Sequence, residues 1–277
     1  NHKKEIAFLC ELAKPDYGYI TNFGKAHLEG FGGIQGVIEG KSELYQYLSI
    51  NNKLAFINLE DSIQVQKAAD LKFFSFGIKK ENADVNIIDV KANPFVEINF
   101  SNLIIKSHLI GLYNANNINA ALTIGKYFGV DDIAIKEGLE SYIPENNRSQ
   151  LLSKGTNQII LDAYNANPSS MKVAIENFLQ LDNPNKIMIL GDMFELGDAS
   201  TQEHLEVLKL LLDKNEIQCF FIGSAFYANK TVTTHFHFYE TFDSFSEYLK
   251  EIKIVNSVVL IKGSRGMALE RTLQFFS

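Results

Sequence analysis

The first side chains able to do chemistry are His27 and Lys41, fourteen positions apart. His27 follows a strand end at Thr21-Asn22, and Lys41 falls on a predicted helix that also carries Leu44, Tyr45 and Leu48. Such a lysine is either a solvated cation or an inward-facing amine. Burial lowers an amine's pKa until it can be neutral. A neutral amine can add carbon dioxide to become a carbamate, whose oxygens suit magnesium where an ammonium would repel it. Spacing alone leaves both readings open. The surrounding stretch from Gly33 to Ser42 imitates a phosphate-cradling loop, but the glycine needed five positions before Gly40 is Gln35. Val37, Ile38 and Glu39 would also fill the phosphate turn with apolar bulk and negative charge, and the composition is helical.

A second set lies at the ends of apolar runs. Asp162, Asp192, Ser224 and Lys262 each follow closely on Ile159-Ile160-Leu161, Ile187 to Leu190, Phe220-Phe221-Ile222 and Val258 to Ile261. Each polar residue by itself could be a turn former. Four polar, glycine-bearing ends together describe the ligand-facing edge of an open α/β sheet, where helix N-termini offer free amides. His235 and His237 alternate with Phe236 and Phe238. They could form a metal pair, but without a third ligand nearby they read as an exposed strand face.

The elements that must position these groups follow from hydrophobic pattern. Downstream of Pro144, apolar runs alternate with helical periods, which predicts a parallel sheet covered on both faces. Asn167 and Pro168 predict the start of a helix reaching Leu181. Ser200 with Glu203 predicts a capping box for a helix over Leu205 to Leu212, and a final helix is expected after Arg265. Upstream, buried strands are expected at Tyr17 to Asn22 and Leu54 to Asn58. Alternating residues from Val85 to Leu109 predict half-buried antiparallel strands, and a helix follows from Asn117 to Phe128. Pro144 and the polar Glu145, Asn146 and Asn147 predict a linker.

Composition narrows the classes. Hydrophobic residues make up 46% and charged residues 21%, as in a folded soluble protein. With 26 Lys and Arg against 33 Asp and Glu, the net charge of −7 disfavours general nucleic-acid binding. No apolar run approaches the ~20 residues of a membrane helix. Cys10 and Cys219, the two cysteines, are expected as buried, reduced thiols. The start at Asn1, without Met or a signal core, reads as a fragment.

Five segments are then telling: 21–32 (TNFGKAHLEGFG), 111–121 (GLYNANNINAA), 162–168 (DAYNANP), 191–197 (GDMFELG) and 262–271 (KGSRGMALER). In this order, across nearly the whole chain, they resemble the Mur ligases, ATP-dependent amide-forming enzymes of peptidoglycan synthesis. AHLEGFG, YNANP and GDMFELG lean towards the dipeptide-adding branch. The resemblance implies an α/β chain: a partial central ATP-binding domain over 1–144, lacking its phosphate loop, then a Rossmann-like, doubly wound C-terminal domain over 145–277. It implies ATP and Mg2+ as cofactors and UDP-N-acetylmuramoyl-tripeptide and D-alanyl-D-alanine as substrates. The ATP γ-phosphate would pass to a carboxylate, and the dipeptide amine would attack the acyl phosphate, with closure about a hinge near Pro144. A monomeric, cytoplasmic enzyme is implied, inactive as this fragment alone.

Residue roles follow from the same resemblance. His27 and a carbamylated Lys41 would hold magnesium. Asn114 and Asn117 match the adenine-contacting asparagines. Arg148 matches an arginine reaching the nucleotide phosphates. Asp162 matches the acid on the ribose hydroxyls, with Asn165 in the same loop. Lys262, Ser264 and Arg265 lie where the amino substrate enters, with Asp192 and Glu195 lining that pocket. Two positions depart from the pattern: Tyr113 replaces a usual His, and Gly266 a common Ser. The competing readings are another Mur or folylpolyglutamate synthetase-like ligase, and a non-catalytic nucleotide-binding module.

Overall fold

The structure, a computed structural model, describes residues 1–276 and divides into two compact units, Asn1–Ile143 and Pro144–Ser277.

The first unit runs α1 (Glu5–Ala13), β1 (Tyr17–Tyr19), α2 (Leu28–Phe31), α3 (Ile34–Ile50), β2 (Leu54–Asn58), α4 (Ser62–Lys67), β3 (Lys72–Ile78), β4 (Val85–Ala92), β5 (Phe95–Phe100), β6 (Leu103–Ile110), α5 (Ala115–Tyr127) and α6 (Asp132–Ser141). Its six strands lie in sequence order, β1 to β4 parallel and β4 to β6 antiparallel. The antiparallel patch needs only tight connections; helices join β1 to β2 and β2 to β3, while the short segment 79–84 joins the parallel pair β3 and β4. Every second residue of β4 and β5 enters a core with α5 and α6: Val85, Ile87, Val96 and Ile98 meet Ile118, Leu122 and Ile135. A second cluster packs Tyr45 and Leu48 of α3 on Ala55 and Ile57 of β2.

The buried positions of α3 include Val37, Tyr45 and Leu48, a helical stripe on which Lys41 also falls. Helical register therefore aims the amine inward. Gly36 and Gly40 bring the same helix against Phe31, where a Cβ would collide with the Phe31 carbonyl and ring. These glycines serve close packing inside a helix, not a phosphate turn.

The second unit runs β7 (Gln150–Lys154), β8 (Asn157–Asp162), α7 (Pro168–Leu179), β9 (Lys186–Gly191), α8 (Ser200–Leu211), β10 (Ile217–Ile222), α9 (Ser224–Ala228), β11 (Phe236–Tyr239), α10 (Phe242–Glu251) and β12 (Val258–Lys262). The sheet order is β11-β10-β9-β12-β8-β7, parallel throughout except for β7. Ile159, Leu161, Ile189, Phe220, Val259 and Ile261 share one core with Phe245 and Leu249 of α10. The intervening Ile160, Met188, Phe221 and Leu260 are equally buried, so both faces are covered.

Several local expectations need correction. Asn167 does cap α7, closing a capping box with Ser170, and Pro168 occupies the first turn. Ser200 makes no such cap: a 3-10 turn over Gly197–Ala199 leads straight into α8, leaving Ser200 already helical. After β12 the chain forms two 3-10 segments, Arg265–Met267 and Leu269–Phe275, instead of an α-helix, with Ala268 between them at φ 48°. Of the pair expected on an exposed strand face, His235 is buried just before β11, its Nε2 3.2 Å from the Leu211 carbonyl, while His237 within β11 is half-buried with its Nε2 2.8 Å from Gln218 Oε1. Both cysteines are buried and unpaired.

Candidate active site

In the first unit, the Lys41 ammonium donates to the Asn22 carbonyl at 2.8 Å and lies 3.4 Å from Asn22 Oδ1. Asn22 lies on the loop that leads to His27. His27 is half-buried at the entry to α2, with a left-handed backbone at φ 52°. Burial pulls the Lys41 pKa below its ordinary value, partly opposed by the charge of Asp61. That is the direction carbamylation requires.

No group of three or more His, Cys, Asp or Glu side chains among the described residues could hold a metal. Magnesium commonly takes one or two protein carboxylates, leaving waters and substrate phosphates to complete its shell. A carbamate on Lys41 would supply oxygens of the kind such an ion takes, whereas an ammonium would repel it.

Asn114 and Asn117 lie at the start of α5, but differently. Asn114 is 7% exposed and donates to the Ile110 carbonyl at 2.8 Å. Asn117 is exposed, with Nδ2 3.4 Å from Asn114 Oδ1. Asn114 therefore pins the turn, leaving Asn117 the more accessible of the two for a base.

In the second unit, parallel pairing places the C-terminal ends of β8, β12, β9 and β10 on one sheet edge. Register sets Lys262 opposite Asp162, and the Lys262 ammonium donates to Asp162 Oδ2 at 2.6 Å and to the Asn165 carbonyl at 3.3 Å. Asp162 Oδ1 accepts from the Ser149 amide at 3.1 Å. With Lys262 only 2% exposed, this is a buried ion pair, and removing either partner would strand the other charge. Asn165 is exposed, its side-chain oxygen bonded to the Ala166 amide.

Two residues expected to meet the substrate also bond within the fold. Asp192 directs its oxygens to the Ala225 and Phe226 amides at 2.9 and 3.0 Å, capping α9. The Met193 amide donates to His204 Nε2 at 3.1 Å, and His204 Nδ1 lies 2.7 Å from the Ser200 carbonyl. The same Nε2 lies 3.7 Å from Asp192 Oδ1. Ser264 Oγ accepts from the Phe194 amide at 2.8 Å and donates to the Ala166 carbonyl, stapling three loops. Glu195 is exposed on a left-handed turn, φ 59°.

Arg148 and Arg265 remain outward-facing. Arg265 pairs with Glu270 at 3.4 Å. Both guanidinium groups approach Tyr164, at 3.7 and 5.9 Å from the ring centre. Sequence reasoning missed Tyr164, although it stands inside a motif already singled out. Gly266 also gains a reason: a Cβ there would lie 2.7 Å from the Phe194 ring, so that ring would have to shift to admit serine.

Comparison with known proteins covers both units. Residues 1–125 match the model of the Mur ligase middle domain, and 147–265 that of the Mur ligase, glutamate ligase domain. The chain belongs to the Mur ligase family. The UDP-N-acetylmuramoyl-tripeptide–D-alanyl-D-alanine ligase of Bacillus subtilis is 30% identical, aligned over 98% of this chain and 61% of its own length. Its Rickettsia prowazekii counterpart is 27% identical over 100% of this chain and 64% of its own. A Thermotoga maritima MurF ligase, solved in complex with ADP, superposes with a TM-score of 0.82 at 26% identity, covering 99% of this chain and 64% of that one. The chain thus spans a little over three-fifths of the length of these Mur ligase relatives.

Proposed function

We propose that the protein containing this chain is an ATP-dependent ligase that joins D-alanyl-D-alanine to UDP-N-acetylmuramoyl-tripeptide. The observation that carries this reading is a match to ligases of that name along nearly the entire chain. The site chemistry is compatible. An amide cannot form from a carboxylate and an amine without activation, so phosphate passes from ATP to the carboxylate. The dipeptide amine then displaces that phosphate. Crowded anionic oxygens in the first step call for cations, and Arg148 and Arg265 are the outward-facing candidates.

His27 and carbamylated Lys41 would hold magnesium, which when bound neutralises phosphate oxygens. Asn117 and Asn165 are the exposed polar groups for the nucleotide, with Asn114 holding the turn beneath. Asp162, held by Lys262 and the Ser149 amide, presents a fixed carboxylate for the ribose hydroxyls. Arg265 meets the amino substrate on a loop braced by Ser264. The test is an assay of the full-length protein with ATP, the UDP-tripeptide and the dipeptide. Pentapeptide formation that depends on the dipeptide supports the reading, and coupling of only L-amino acids or glutamate to folates would overturn it.

A further inference from the structure

The segment carrying Arg148 is folded in a costly way. Asn146, Asn147 and Ser149 all have left-handed backbones, with φ of 63°, 58° and 47°. Outside glycine such residues are uncommon, and a run of them persists only where surrounding bonds dictate it. Two bonds do so here. The Tyr164 amide donates to the Asn147 carbonyl at 3.1 Å, and the Ser149 amide donates to Asp162 Oδ1 at 3.1 Å. The backbone on each side of Arg148 is therefore tied to the loop that leaves β8.

Between those ties the Arg148 guanidinium lies 3.7 Å from the centre of the Tyr164 ring and makes no ion pair among the described residues. A cation this close to an aromatic face is held by the ring quadrupole without being neutralised. An acidic partner would hold the arginine more firmly but cancel the charge a phosphate needs. Arg265 is 5.9 Å from the same ring while anchored to Glu270.

We infer that Tyr164 is a positioning residue whose ring holds Arg148 beside Arg265, keeping an uncompensated positive charge ready for a phosphate anion at the edge of the second unit's sheet. This rests on the proposed nucleotide-using ligase reading and adds to it a residue acting through another. The role belongs to the ring and not to the hydroxyl.

The test titrates inorganic tripolyphosphate onto the 277-residue chain. Affinity is read by calorimetry and the Arg148 side-chain nitrogen resonances by NMR, so no turnover is needed and the ligase reading stands or falls separately. Tyr164→Leu should weaken binding roughly two- to five-fold and abolish the ring-induced shift of the Arg148 resonance, whereas Tyr164→Phe should preserve both. In an Arg148→Ala background, exchanging Tyr164 for Leu should change the affinity no further, a coupling that a merely structural role would not produce. Equal affinity for the Leu variant, a Tyr-to-Leu difference surviving without Arg148, or no tripolyphosphate binding by the unaltered chain would each overturn the inference.

Discussion

At Lys41 a structural detail becomes a pH dependence. Burial lowers its pKa from the ordinary 10.5. Between the lowered value and 10.5 the folded chain binds fewer protons than the unfolded one, so stability rises with pH across that window and the burial penalty is fully present below it. Lys41→Met should flatten that rise in denaturation measured from neutral to alkaline pH; an unchanged slope would refute the assignment. In 13C-bicarbonate, the Lys41 carbamate resonance should appear at lower pH than that of exposed lysines. Under the proposed ligase reading, Lys41→Ala in the full-length protein should nearly abolish product formation, with partial rescue by a short carboxylic acid. A fully active variant would rule out the carbamate. The ion pair at the sheet edge makes another prediction. Lys262→Met should cost about 3–5 kcal/mol in chemical denaturation, and adding Asp162→Leu should recover most of it, because the cost is a stranded charge. His27, Lys41, Asp162 and Lys262 were legible as reactive types. That Asp162 and Lys262 bind each other was not, since the two lie a hundred residues apart and only strand register joins them.

Helices and strands show what periodicity can and cannot reveal. The fully apolar strands β8, β9, β10 and β12, and the start of α7 at Asn167-Pro168, were plain in the sequence because burial on both faces and capping chemistry are local signals. The box expected at Ser200 failed because a preceding 3-10 turn continues into the helix, a choice the residues at 200 and 203 do not encode. The bonds of the Asp192 oxygens to the α9 amides were equally illegible, because they join residues of different loops. Asp192→Ala should therefore lower stability by about 1–3 kcal/mol through unsatisfied buried amides, and thermal melting would reveal it. A change below a few tenths of a kcal/mol would contradict the cap. Helix α5 makes the opposite prediction. Asn119 is fully buried, and among the described residues neither of its side-chain amide atoms has a hydrogen-bond partner. Asn119→Leu should stabilise the chain by about 1–3 kcal/mol, because apolar bulk replaces a desolvated amide. Destabilisation in urea would show that the amide is in fact satisfied.

For the molecule as a whole, the sequence conveyed an acidic α/β chain with ligase motifs in order, and the structure distributes those motifs over two units. What stayed illegible was which motif residues face outward and which brace the fold. Among the described residues no glycine loop is shaped to cradle a phosphate, and the stretch whose sequence is most like one lies in α3. The purified chain should accordingly release no phosphate from ATP above background; sustained release would contradict this. The most direct measurement uses the full-length protein with the peptide carboxylate of UDP-muramoyl-tripeptide labelled with 18O, together with ATP and D-alanyl-D-alanine. One labelled oxygen is expected in the inorganic phosphate for each pentapeptide formed, with ADP as co-product. Label in AMP, or phosphate without label while pentapeptide accumulates, would contradict activation through an acyl phosphate.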